Sequence, residues 1–506
     1  MSERIDSVTV LGGGDVGLLT ALALRQYNPG LDVEVIDDFS RDIPQVGKST
    51  YKKITDILHQ HLGIDEREFV TEVKPVWKAS VYFRDWCDSE SFHYPFDEAV
   101  KYPDEDRPDA VEWLYYHYSE LYDSPDHRTA NEERVEQRKS PWFYSPQQGG
   151  HDIYPHAAYH LNTERFNGYL RELCRDRGVS LVNDEVTGVN VSGAHVERVR
   201  SKSQTYQSDL FVDATGFNRV IRGEIDAEFR EFPLPLDTAF NVRVDRDLSE
   251  VIPATVVDSG EYGWFWTIDT YDNRDRGYVF ASEYVDDDAA VAEFLDEVDD
   301  SVTGDDVAKY EFNSGYYPQA WEDNLVALGN AEGFVEPLQS TGLTANAHAA
   351  VRLSRFLSEH GRVNDAAVRE DYNTFVRQGW ESIYDFVAVH YRYGDGDTAF
   401  WEDVTTMGVS RRVELLEEAF DRRGFVGNIE AAKRRGEVDR LRVFLPRNFF
   451  LIMRQQDATS DFYEEHDFEV SRETKQQLDE YYRQMREDVE TYLTTEEMYR
   501  GPLAGM

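Results

Sequence analysis

Three glycines near the start constrain this chain more than any other feature. Gly12-x-Gly14-x-x-Gly17 stands directly after an apolar run containing Val8, Val10 and Leu11, and directly before a segment in which Leu18, Leu19, Leu22 and Ala23 recur at helical spacing. A second apolar run, with Val33, Val35 and Ile36, ends on Asp37, about twenty residues after the last glycine. Each residue type has a physical task in that order. The first glycine turns the chain, the second lets a pyrophosphate approach the backbone, and the third lets helix pack on strand; the carboxylate accepts hydrogen bonds from an adenosine ribose. Strand, glycine turn, helix and strand predict a parallel sheet that binds an adenine dinucleotide.

FAD and NAD are separated further along. Leu210–Phe217 (LFVDATGF) and Leu325–Asn330 (LVALGN) read as two buried strands running into glycine turns. No second GxGxxG follows a strand, and GDGD at 394–397 lacks that context. A separate nicotinamide-binding unit is therefore not expected, which points to reducing equivalents arriving from elsewhere, although some one-component flavoenzymes also lack such a unit. The chain after residue 150 continues in the same mixed style. A helix and alternating strands fill 161–216, strand-like runs such as FNVRV and GYVFASEYV fill 229–320, and the segment from Ala345 onward is mostly helical by period, with Pro446 interrupting it. Residues 101–147 are polar, Pro-punctuated and aromatic-spiked, which predicts an inserted helical excursion rather than sheet.

The 506 residues carry a net charge of -45. An acidic surplus of that size repels nucleic acid and anionic membranes, and as a solvated surface it suits high salt and a salt-loving source. Cys87 and Cys174 are the only cysteines, too few for a disulfide framework or a thiolate metal site, and Cys174 shares a helical face with Phe166, Tyr169, Leu170 and Leu173, which predicts burial. His59-x-His61 points two ways on a helix and finds no third ligand nearby, so it reads as solvated surface and no metal is expected. MSERIDSVTVLGGG has no signal-peptide core and no run reaches transmembrane length; a soluble cytoplasmic protein is expected.

Three further features bear on chemistry. Gly329–Leu343 (GNAEGFVEPLQSTGL) follows a strand, breaks at Pro337 and supplies Ser340, Thr341 and Gly342 just before an alanine-rich helical segment. Such a turn aims backbone N–H groups at an anion or merely packs on a cofactor. Lys78 lies on an alternating stretch with Val76, Ser80 and Tyr82, where a lysine is costly unless paired, used or led out to solvent. Trp264 and Trp266 alternate along a strand and share a face, as core or as a wall.

Taken together, these segments resemble the flavin-dependent tryptophan halogenase family. Pro44–Thr50 (PQVGKST) with LGIDEREFV looks like that family's GE(S/A)T loop, Val76–Trp86 (VWKASVYFRDW) like its lysine strand, and Gly263–Asp269 (GWFWTID) like its WxWxIP motif. Phe334-x-x-Pro337-x-x-Ser340-x-Gly342 matches its FxxPxxSxG motif in full, and Tyr384–Trp401 is similar to its C-terminal helical region. The resemblance implies an α/β fold: an FAD-binding Rossmann-like domain of the glutathione-reductase/monooxygenase type over 1–350, an interleaved substrate sheet with strands in 229–320, and a helical substrate-covering region over 351–506. It implies reduced FAD held by Gly12, Gly14, Gly17, Asp37, Gly47, Ser49, Gly329, Pro337, Thr341, Gly342 and Leu343. Halide would rest on Thr341 and Gly342, with O2 as co-substrate. Catalysis would fall to Lys78, Gln339 and Ser340, with Lys78 taking hypohalous acid across a wall made by Trp264 and Trp266. Expected partners are an NAD(P)H-dependent flavin reductase and a small aromatic ring (indole, phenol or pyrrole), free or carrier-borne, with a homodimer among the possible assemblies.

The chain departs from the pattern at four places. Gln339 stands where tryptophan-specific members have glutamate, and a neutral amide orients by hydrogen bonding but is no base; Glu336 is the alternative carboxylate. Lys48 replaces the loop's glutamate, Asn330 an aspartate and Asp269 a proline. An aromatic monooxygenase of the same fold, or a flavin-binding relative without halogenase activity, stays open beside the halogenase.

Overall fold

A computed structural model of the chain describes residues 3–41, 46–87, 91–97, 127–147, 149–298, 301–435, 443–456, 458, 460–461 and 470–503. The chain passes back and forth between two compact units: Met1–Pro75, Leu161–Asp237 and Glu311–Tyr384 form the first, and Val76–His160, Thr238–Tyr310 and Asp385–Met506 the second.

The first unit is built on a six-stranded sheet. Its order is Ser180–Asn183, Asp32–Asp37, Ser7–Leu11, Leu210–Asp213, Leu325–Ala327 and Trp321–Glu322, parallel except for the last. The strands read Val/Ile/Leu-rich because both faces are covered, as parallel sheets require. The helix Asp15–Tyr27 buries Leu18, Leu19, Leu22 and Ala23, and packs on the helices Thr163–Asp176 and Gly342–Glu359. Cys174 is buried there, its thiol 3.6 Å from the Leu18 carbonyl, and burial pushes that thiol up to about 12. The carboxyl ends of these parallel strands carry all the glycine turns singled out from sequence, which is where open α/β sheets bind ligands.

In the second unit a seven-stranded sheet runs in the order Ala308–Glu311, Thr238–Val244, Arg274–Phe280, Gly263–Asp269, Ala254–Ser259, Ser80–Arg84 and Ser91–Pro95. Its register sorts the side chains. Phe265, Tyr278, Phe240 and Phe280 lie on one face with Phe294 of the helix Asp287–Asp296. Trp264 and Trp266 fall on the other face with Val257 and Phe83. That face is covered by aromatic contacts: Phe83 against His390 at 5.2 Å, and Tyr94 against Phe386 at 5.3 Å. Gly277, opposite Trp266, has no side chain because the indole fills the space; a Cβ there would lie 1.9 Å from the ring.

Three local expectations need correction. Residues 101–126 lie outside the described residues, but Trp142–Ser145 of the expected helical excursion is a strand, hairpinned to Gly150–Ile153; among the described residues of that stretch Ala130–Glu136 is an α-helix. Pro446 opens the helix Pro446–Gln455 at its first position, where a missing N–H costs nothing, instead of interrupting one. His59 is not free surface: its Nδ1 is 3.0 Å from the Ile64 carbonyl and its ring packs edge-on against Phe69. Among the described residues no helix is long and apolar enough to cross a membrane.

Candidate active site

In the first unit the glycine loop behaves as its spacing demands. Gly12 has φ +103°, and a Cβ on it would lie 2.4 Å from the Ala214 carbonyl oxygen; a Cβ on Gly17 would lie 1.9 Å from the Gly12 carbonyl oxygen. Gly14 faces open space. Two glycines are thus required by the fold, and the middle one leaves room beside the backbone. Asp37 accepts from the Gly13 N–H at 2.6 Å and the Asp38 N–H at 2.8 Å, and its oxygens keep lone pairs for a further donor. Arg171 stacks over Phe39 beside this loop with a buried Nε that has no hydrogen-bond partner among the described residues. An open middle glycine, a carboxylate at the strand end and an orphaned cationic donor fit the pyrophosphate and ribose of a dinucleotide.

The other segments converge on this loop. Lys48 of the short strand Lys48–Ser49 forms an ion pair with the buried Asp15 at 2.9 Å, so the charge reversal at 48 is answered within the glycine loop itself. The Tyr51 N–H donates to the Thr344 hydroxyl at 3.0 Å, tying the loop that holds Gly47 and Ser49 to the first turn of Gly342–Glu359. Gly329, at φ +71°, donates its N–H to the Asn346 side chain at 2.8 Å, and Asn346 donates to the Gly342 carbonyl at 2.9 Å. Asn167 bridges the Gly13 carbonyl and Asp15 at 3.2 and 3.1 Å. Asn346 and Asn167 carry no motif; only their place in helical heptads facing a glycine loop could have drawn notice to them.

The turn before that helix is strained. Gln339 and Ser340 both have left-handed backbones, φ +66° and +56°, in non-glycine residues, a conformation that costs on the order of 1–3 kcal/mol each and gathers at functional sites. Thr341 caps the helix without a side-chain hydrogen bond, so the N–H groups of the first turn, Gly342 and Leu343 among them, are aimed beyond the helix end. Glu332, close by in the same unit, is buried, accepts from the Trp380 indole N–H and is pushed up to about 8 by that burial.

In the second unit, Lys78 is completely buried. It ends the strand Val76–Lys78, which pairs antiparallel with Ala158–Leu161 so that Lys78 lies opposite Ala158 and Val76 opposite His160. The Lys78 ammonium position is 5.3 Å from the centre of the Phe96 ring, and burial holds the amine well below its ordinary value. Tyr94 packs edge-on against Phe96 at 6.2 Å. On the neighbouring sheet Trp264 and Trp266 sit 6.1 Å apart, both buried. Asp269, at the end of their strand, is locked by Arg274 at 2.7 Å, Arg246 at 3.3 Å and the Ile252 N–H at 2.8 Å, which anchors the strand end where a proline was expected. Phe96, His160 and Thr255 were not singled out from sequence; the alternation in SFHYPF was the available signal for the first.

The model of the family described as tryptophan halogenase matches residues 7–468. Tryptophan 6-halogenase SttH of Streptomyces toxytricini is 27% identical over 453 residues, covering 82% of this chain and 83% of its own length. The 7-chloro-L-tryptophan 6-halogenase KtzR of Kutzneria sp. (strain 744) is 27% identical over 447 residues, covering 81% and 84%. Among solved structures, MibH, a lathipeptide tryptophan 5-halogenase, superposes with a TM-score of 0.83 at 27% identity over 99% of this chain and 94% of that one. BrvH, a flavin-dependent halogenase from Brevundimonas sp. BAL3, shares the fold with a TM-score of 0.81 at 23% identity, covering 98% and 99%. A glycine loop built for a dinucleotide, a buried lysine strand and a family match along nearly the whole chain agree, and this chain belongs to the tryptophan halogenase family of flavin-dependent enzymes.

Proposed function

We propose that the enzyme halogenates an electron-rich aromatic ring using reduced FAD, O2 and halide, with Lys78 carrying the halogen to the ring. The observation that carries this is the complete burial of Lys78 beside an aromatic ring, within the strand that matches the family's lysine motif, since a lysine kept from solvent is costly unless it is paired or used. Gly12, Gly14, Gly17, Asp37, Gly47, Ser49, Gly329, Pro337, Thr341, Gly342 and Leu343 would hold the flavin, joined by Arg171. The reduced flavin when bound supplies the O2 activation that turns halide into hypohalous acid. The N–H groups at Thr341 and Gly342 would strip and hold the halide, with Ser340 and the amide of Gln339 orienting the oxidant.

Lys78 then acts as a free amine. Its nitrogen takes the halogen from hypohalous acid as the O–X bond breaks, and one N–H proton leaves with the hydroxide as water. The ring next takes the halogen from nitrogen and loses a proton, which restores the amine. With an amide at 339, the carboxylate for that last proton is Glu336, or the ring is activated enough to need none. Trp264 and Trp266 would wall the ring from the flavin. A separate NAD(P)H-dependent reductase supplies reduced flavin, and the acidic surface suits work at high salt.

Mass spectrometry of indole, phenol and pyrrole panels with reductase, FAD and bromide in high salt tests this directly: brominated product that depends on the reductase is expected. Oxidation of NAD(P)H by the purified protein alone, with oxygenated and no brominated product, would show a monooxygenase instead.

A further inference from the structure

In the first unit, the loop after the strand Leu210–Asp213 leads into a buried cluster rich in hydrogen-bond donors. The Asp213 carboxylate draws this loop inward, accepting from the Ile221 and Arg222 N–H groups at 2.8 Å each, and Arg219 takes a left-handed backbone there, φ +47°. Both arginines lie over one ring. The Tyr317 ring centre is 4.7 Å from the Arg222 guanidinium carbon and 5.4 Å from that of Arg219, which also stacks on Phe229 at 4.7 Å. The antiparallel pairing of Gly315–Tyr316 with Gly333–Phe334 continues one residue further, where the Tyr317 N–H donates to the Glu332 carbonyl at 3.0 Å. Residues opposite in such a pair share a face, so the Glu332 carboxyl lies with Tyr317 and within the field of both guanidiniums.

The polar atoms of this cluster are unevenly matched. Arg222 is wholly buried; its Nη1 donates to Glu322 at 3.0 Å, while Nε and Nη2 have no hydrogen-bond partner among the described residues. The buried Nε of Arg219 has none there either. Glu332 Oε2 accepts from the Trp380 indole N–H, and Oε1 is left without a partner among the described residues. Burial pushes this carboxyl up to about 8 against the pull of Trp380, Arg219 and Arg222, so at neutral pH it is an acid, with its hydrogen on Oε1 because Oε2 is accepting. Tyr372, which also acts on Glu332, is kept neutral by burial. The four unmatched atoms are then all donors. A water would bring two hydrogens with no acceptor to receive them, whereas an anion asks only for donors. Two guanidiniums against one ionised Glu322 also leave a positive charge unanswered, which burial makes costly.

We propose that Arg219, Arg222 and Glu332 form a binding site for a halide-sized monovalent anion, chloride or bromide, additional to the one proposed at Thr341 and Gly342, and that the anion is taken up together with the Glu332 proton. Arg222 and Glu332 are the buried floor, and the half-buried Arg219, Tyr317 and Phe229 are the rim through which the ion enters.

Bromide is the probe. Crystals of the full chain grown in bromide and measured at the bromine absorption edge should show an anomalous peak within hydrogen-bond reach of Arg222 and Glu332. The peak should persist in Glu332→Gln, whose amide keeps an acceptor for Trp380 and a donor for the anion, and vanish in Arg222→Met. In solution, the rise of Tm as bromide replaces gluconate at constant ionic strength gives an apparent affinity. It should be about tenfold weaker at pH 9 than at pH 6 in the wild type, because the carboxyl must be protonated, and equal at the two pH values in Glu332→Gln. Halide at Thr341 and Gly342 is common to these variants, so the difference between them reports on this site alone. Should Arg222→Met fail to fold, Arg219→Met at the rim should weaken the affinity at pH 6 by at least about tenfold. Bromide peaks confined to the exposed surface, an adventitious ion only, overturn the proposal. So does a water between Arg222 and Glu332, or a pH response that Glu332→Gln leaves unchanged.

Discussion

Burial pushes the Glu332 carboxyl up to about 8, against an ordinary value of 4.5, even though the Trp380 indole N–H favours its charged form. The native state therefore holds this proton more tightly than the unfolded chain does. Stability from the group is complete below about 4.5 and is lost as pH climbs through about 8. Glu332→Gln, which still accepts from Trp380, should raise Tm at pH 8, by on the order of 3 kcal/mol in stability, and leave it unchanged at pH 4; thermal melts at the two pH values check this. At this scale the sequence was half legible. Lys78 and the glycines stand out because their residue types are costly or special where they occur. Glu332 does not, since its setting beside Tyr317, Arg219 and Arg222 arises from strand register between distant segments. Nor can the left-handed backbones of Gln339 and Ser340 be read from residue types that normally avoid them.

The glycine loop as an element separates folding from binding. Gly12→Ala forces a side chain into a left-handed backbone against the Ala214 carbonyl, and Gly17→Ala drives one into Gly12, so both should lose several degrees of Tm, on the order of 2 kcal/mol or more in stability. Gly14→Ala meets nothing in the protein. It should melt like the wild type yet bind FAD at least about tenfold more weakly, which is roughly 1.4 kcal/mol, as flavin fluorescence titration would show. The strand–turn–helix–strand opening was legible because apolar period changes sharply at the glycines. The hairpin Trp142–Ser145 was not, because its aromatics are set among prolines and charges; nor was the start at Pro446, since a proline marks either end of a helix.

For the molecule as a whole, a net charge of -45 opposes compactness unless salt screens it. Raising KCl from about 0.1 to about 2 M, which shortens the screening length from roughly 10 Å to below 3 Å, should raise Tm by several degrees, and a Tm that is flat or falls across that range would contradict the view of the acidic surface. The family was legible from motif order; which segments belong to which unit was not, because it depends on pairings between strands far apart in sequence, such as Ala254–Ser259 with Ser80–Arg84. The claim on which the chemistry turns is that Lys78 carries the halogen. Lys78→Met keeps the length and burial of the side chain and removes the amine. With reductase, FAD, bromide and the best ring from the panel, this variant should still bind and oxidise reduced flavin at the wild-type rate while its brominated product, quantified by mass spectrometry, falls by at least about a thousandfold, roughly 4 kcal/mol in the barrier. Bromination by Lys78→Met at the wild-type rate would contradict it.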